Sequence, residues 1–87
     1  MKVLTRPRPK AVTGEIVSYK YDHDEGEFKL KYIQDKKYKV PTVVYVDRMP
    51  KEIECNGKYK IIELPGNIGY DIEFKTNIGE NEIEIEF

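Results

Sequence analysis

Glu15-Ile-Val-Ser-Tyr-Lys-Tyr-Asp-His-Asp-Glu-Gly-Glu-Phe-Lys-Leu-Lys-Tyr32 holds two alternating runs joined by a short turn, and it decides the fold. A period of two sends one set of side chains to a core and the other to water. Pairing Asp22 with Glu27 across the turn sets Tyr21 beside Phe28, Tyr19 beside Leu30 and Val17 beside Tyr32. That register gathers six large residues on one face, and a slip of one residue would scatter them.

The pattern continues outward. Tyr38 to Val46 is a third strand region, with Pro41 at its start and Thr42, Val44 and Val46 in phase. Lys51-Glu-Ile-Glu-Cys55 and Lys58-Tyr-Lys-Ile-Ile62 flank Asn56-Gly57. This is read as a second hairpin, with a left-handed Gly57, that sets Ile53 against Tyr59 and Glu54 against Lys58. Strands at 70–75 and 82–87 follow two more turns, and no stretch reads as a helix. Six or seven short strands with regular turn signals predict an all-β, two-sheet antiparallel sandwich, immunoglobulin-like or carbohydrate-binding-module-like. The expected core is Val17, Tyr19, Tyr21, Phe28, Leu30, Val44, Val46, Ile72, Phe74, Ile83 and Ile85.

Upstream, Arg6-Pro-Arg-Pro-Lys10 excludes helix and central strand, because each proline lacks a donor and extends its predecessor. Residues 1–12 are therefore read as a linker or lead-in, and 13–87 as the sandwich domain. At 87 residues, 39% hydrophobic and 36% charged, the chain is one small globular unit. Lys2, Arg6, Arg8 and Lys10 place four of the 15 basic residues in the first ten positions. The remaining 11 face all 16 acids, a net −5. Such a body is a poor match to nucleic acid, whose phosphates call for a basic surface. No membrane span and no signal peptide is read, and the single cysteine, Cys55, leaves the compartment open.

Chemistry is sparse. Asp22, Asp24, Glu25 and Glu27 surround Gly26, but the turn is too short for a calcium loop and lacks its distant bidentate glutamate. Two acids on a solvated tip do not flank a cleft as a glycosidase pair must. No catalytic residue, metal ligand or cofactor is expected.

The order of Arg6-Pro-Arg-Pro9, Ala11-Val-Thr-Gly14, Tyr19-Lys-Tyr-Asp22, Gly26-Glu-Phe-Lys-Leu-Lys-Tyr32 and Pro41-Thr-Val-Val-Tyr-Val46 resembles the C-terminal domain of endoglycoceramidase-like enzymes of glycoside hydrolase family 5. The likeness spans residues 6–46. Arg8 stands where that family usually has an aromatic residue, and Val43 where it often has a polar one. The resemblance implies an accessory sandwich packed on a catalytic (β/α)8 barrel, in a retaining enzyme that cleaves glycolipid or glycoside. Both catalytic glutamates would lie on the barrel. It also implies an exported parent enzyme. Tyr38, Val43 and Tyr45 are the candidate carbohydrate or interdomain contacts, with Val12 a further apolar contributor. An autonomous carbohydrate-binding module and an immunoglobulin-like spacer or adhesion domain are the alternatives.

Overall fold

The computed structural model describes residues 6–87. Eight strands run in chain order: β1 (Arg8–Ala11), β2 (Glu15–Asp22), β3 (Glu27–Gln34), β4 (Thr42–Val46), β5 (Glu52–Cys55), β6 (Lys58–Glu63), β7 (Tyr70–Lys75) and β8 (Gly79–Glu86). A 3-10 turn at Pro65–Asn67 precedes β7. The strands form two four-stranded antiparallel sheets, ordered β1-β4-β7-β6 and β2-β3-β8-β5, packed as a sandwich.

The core is the alternation made solid. Phe28, Leu30 and Tyr32 of β3 and Ile83 and Ile85 of β8 meet Val44 and Val46 of β4 and Ile72 and Phe74 of β7. All nine are buried, and all lie on the two middle strands of each sheet. A strand flanked on both sides, with a second sheet across its inner face, leaves no route for water to its in-phase positions.

The β2–β3 hairpin holds the expected register at Asp22–Glu27, Tyr21–Phe28 and Tyr19–Leu30. Asp22 also shapes the turn, since its Oδ1 accepts the backbone N–H groups of Asp24 at 3.0 Å and Glu25 at 3.1 Å. Beyond Ser18 the register shifts through a β-bulge, and Ile16, not Val17, lies opposite Tyr32. Val17 is the residue the bulge inserts, so it leaves the core instead of joining it. Tyr19 keeps its expected partner but also stays out of the closed core, because β2 is an end strand with one open flank. Tyr21 is half-buried against the core.

The second hairpin does not form. β5 pairs with β8 and β6 with β7, so Cys55, Asn56 and Gly57 carry the chain from one sheet to the other. Ile53 lies opposite Ile85 and Tyr59 opposite Phe74, each against a buried core residue in place of the half-exposed partner the hairpin offered. Asn56 acts as a latch: its Oδ1 accepts the Glu82 N–H at 3.0 Å, and its Nδ2 donates to Glu80 O at 3.2 Å and Asn81 Oδ1 at 3.1 Å. Gly57 is not among the positive-φ glycines. It is glycine because a Cβ there would collide with the Lys75 carbonyl oxygen. The expected Glu54–Lys58 pair is replaced by Glu54 opposite Glu84.

Residues 8–11 of the proline-punctuated lead-in form β1, an edge strand on β4, where the missing Pro9 donor is tolerated. Pro7 is fully buried. Residues 1–5 of that lead-in lie outside the described residues.

Candidate functional site: a lysine-lined groove and two faces

The outer face of the β1-β4-β7-β6 sheet carries two of the candidate contacts. Tyr45 lies opposite Arg8 and Asp71, and Val43 opposite Ala11 and Glu73. Tyr45 is outside the sandwich core, as strand phase requires, yet only 7% exposed. The Arg8 guanidinium stacks 4.8 Å above its ring, where cation–π attraction favours it. Its hydroxyl donates to the Ile68 carbonyl, which draws the 64–69 turn over the ring. Gly69 permits that approach: its φ is +132°, and a Cβ there would meet Val46 O. Beside it, Lys10 Nζ contacts Asp71 Oδ2 at 2.8 Å, tying β1 to β7 across β4. Val43 is half-buried, and Val12 packs against the core instead of facing water.

Tyr38 lies elsewhere, on the 35–41 segment between β3 and β4. It is 37% exposed, its hydroxyl donates to Asp35 Oδ1 at 2.9 Å, and Lys36 Nζ sits 5.5 Å from its ring centroid. Ionising the phenol would forfeit the bond to Asp35, so its pKa is raised above 10.0, with a smaller contribution from desolvation. Tyr38 and Tyr45 therefore do not form one platform.

Tyr38 instead borders a groove of about 550 Å³ between the 37–41 segment and the adjoining ends of β6 and β7. Tyr59, 48% exposed, is its other aromatic wall, packed at 6.2 Å on the buried Phe74 ring. Lys37, Lys39, Lys58, Lys60 and Lys75 line it, against Glu73 as its one acid. The floor is a closed hydroxyl chain. Tyr32 OH donates to Thr76 Oγ1 at 2.9 Å, and Thr76 Oγ1 donates to Gln34 Oε1 at 2.7 Å. Thr13 Oγ1 donates to the same Gln34 oxygen at 3.0 Å. Thr13 has one hydroxyl proton, so its 2.8 Å contact with Thr42 Oγ1 must use the Thr42 proton. Thr42 Oγ1 in turn accepts the Thr13 N–H at 3.0 Å. This bonding uses only the Gln34 carbonyl and leaves its amide NH2 as a donor at the floor.

The second sheet differs in character. Its outer face sets Glu52 opposite Glu86 opposite Glu27, and Glu54 opposite Glu84 opposite Lys29. Lys29 bridges Glu27 and Glu84 at 3.5 Å each. Attraction to the Glu27 carboxylate, then its bond to Glu84, raises the Lys29 pKa above 10.5. Along β2, Ile16, Val17 and Tyr19 are 47%, 54% and 46% exposed. Sequence reasoning missed this flank because it placed Val17 and Tyr19 in the core. It missed the groove because Tyr59 had been spent on a hairpin that does not form.

A model of the glycoside hydrolase family 5 C-terminal domain matches residues 6–85, nearly the whole chain. The chain belongs to that family. No curated protein matches it. As a family 5 C-terminal domain it is an accessory domain of a glycoside hydrolase, and the family implies association with a family 5 catalytic domain. Lysines line the groove of about 550 Å³, while glutamates line two smaller, more open hollows of about 360 and 200 Å³ on the second sheet.

Proposed function

We propose that this domain braces the catalytic barrel of an exported, endoglycoceramidase-like retaining glycosidase and docks on it through the β2 flank. The observation that carries the docking is the wet apolar run Ile16, Val17 and Tyr19 on an end strand. Three large apolar side chains within four strand positions, interrupted only by Ser18, are costly in water unless a partner covers them. Family membership names the partner, a family 5 barrel. The endoglycoceramidase-like assignment is supported by the ordered motifs from Arg6 to Val46.

Contacts between domains of one chain bury roughly 600–1,500 Å². The test joins the domain to its barrel and records the barrel's Tm. The domain should raise it, and Val17→Asp should remove most of the gain while the sandwich keeps its own β-sheet circular dichroism. If Val17→Asp leaves the barrel's Tm unchanged, the flank is not the interface. The groove favours a second reading, sugar binding, because its two half-exposed tyrosines offer faces for a pyranose ring.

A further inference from the structure

We infer that the groove between the 37–41 segment and the ends of β6 and β7 binds an anionic saccharide, a sugar carrying a carboxylate or sulfate. The volume of about 550 Å³ lies within the roughly 300–1,000 Å³ range of small-ligand sites.

Charge selects an anion. Lys58 on β6 lies directly opposite Lys75 on β7. Like charges in directly opposed positions destabilise a sheet. The ion pairs among the described residues use Lys10, Lys29, Lys31 and Arg48, and none of the groove lysines. Edge lysines that block strand addition would explain Lys58 and Lys60 on the end strand β6. They do not explain Lys75 on the internal strand β7, or Lys37 and Lys39 arriving from a separate segment. An anion among these ammonium groups relieves the Lys58–Lys75 repulsion that folding leaves in place.

The walls select a sugar. Strand phase turns Tyr59 to the core side with Phe74, and Lys58, Lys60 and Lys75 to the other face. A pyranose therefore packs on the half-exposed rings of Tyr38 and Tyr59 at the sheet edge, while its anionic group meets ammonium groups reaching round from the outer face. The Gln34 amide can donate to a hydroxyl. The opposite face of the molecule argues against a long polyanion or an anionic membrane, since rows of glutamate on β3, β5 and β8 would repel either. The choice of saccharide over other small anions rests on membership in a glycoside hydrolase family. The groove and the β2 flank share no residue, so either assignment can fail without the other.

The experiment uses the 87-residue chain, 15N-labelled, titrated with a glucuronate-containing tetrasaccharide, a sulfated disaccharide, a neutral tetrasaccharide, inorganic sulfate and a single-stranded oligonucleotide. The acidic saccharides should shift the amides of Lys58, Tyr59, Lys60, Lys75 and Gln34, and raising salt should weaken them. Tyr59→Ala and the double change Lys58→Gln with Lys75→Gln should each weaken binding about tenfold, with an otherwise unchanged amide spectrum. Lys31→Gln, remote from the groove, should not. Equal binding of the neutral sugar would overturn the selection for charge. Equal binding of sulfate or oligonucleotide would reduce the groove to a general anion patch. No shift with any acidic saccharide would overturn the site itself.

Discussion

At the scale of single residues, three polar contacts do work that no strand pattern announces. Lys10 holds Asp71, whose other carboxylate oxygen, Oδ1, is buried without a partner among the described residues. Removing the ammonium would strand a mostly buried charge, so Lys10→Ala should cost about 1–3 kcal/mol, below the range for fully buried pairs because Lys10 is partly exposed. Urea unfolding measures it, and an unchanged midpoint would show that water solvates Asp71 adequately. Tyr45→Phe keeps the ring under Arg8 but leaves the Ile68 carbonyl without its donor, at about 1 kcal/mol. Tyr45→Ala opens a cavity as well and should cost about 3–5 kcal/mol. If the two variants unfold at the same denaturant concentration, the ring is not what holds the 64–69 turn. At Tyr38, Asp35→Asn should return the phenol from above 10.0 toward its ordinary value. Because its folded pKa is raised, the stability contributed by this bond is present below the unfolded pKa and lost as pH rises through the folded one. An NMR titration resolves it, and no movement of the Tyr38 midpoint would dismiss the Asp35 bond.

Among the elements, the middle strands were legible and the outer ones were not. Phe28, Leu30, Val44, Val46, Ile72, Phe74, Ile83 and Ile85 sit where alternation puts them, because a middle strand has both flanks covered and its phase alone fixes burial. End strands add a second variable, the identity of the neighbour. Asn56-Gly57 carries the strongest short-range hairpin signal in the chain, yet it links two sheets, because the partners of Ile53 and Tyr59 come from β8 and β7, more than a dozen residues away. The bulge before Ser18 was equally silent, since Ile16 and Val17 are interchangeable by hydropathy. The groove is hidden by the first of these and the β2 flank by the second: the β6 and β7 walls of the groove meet only in the true pairing. Asn56 is the testable hinge of this arrangement. Asn56→Ala removes three contacts to β8 and should cost about 2–3 kcal/mol, where an ordinary exposed turn residue would cost under 0.5. A loss within that smaller range would mean the crossover is held by its strands alone.

For the molecule as a whole, charge is separated more sharply than the net −1 suggests. One sheet presents a glutamate row through Glu27, Glu86 and Glu52, and the other ends at Lys58, Lys60 and Lys75, joined by Lys37 and Lys39 from the 35–41 segment. Each pole repels itself, and each repulsion is between exposed groups that salt screens over about 8–10 Å. Stability and ligand binding should therefore answer salt in opposite directions. Raising NaCl to about 0.5 M should lift the Tm of the free domain by relaxing both poles, while weakening capture of an acidic sugar at the groove. Glu86→Gln, which breaks the glutamate row at its centre, should raise stability by about 0.5–1 kcal/mol and flatten the salt response. Lys29 already compensates Glu27 and Glu84, so the relief belongs to position 86 more than to position 84. A Tm that falls with salt would mean that the Lys29 and Lys10 ion pairs outweigh the two self-repelling poles.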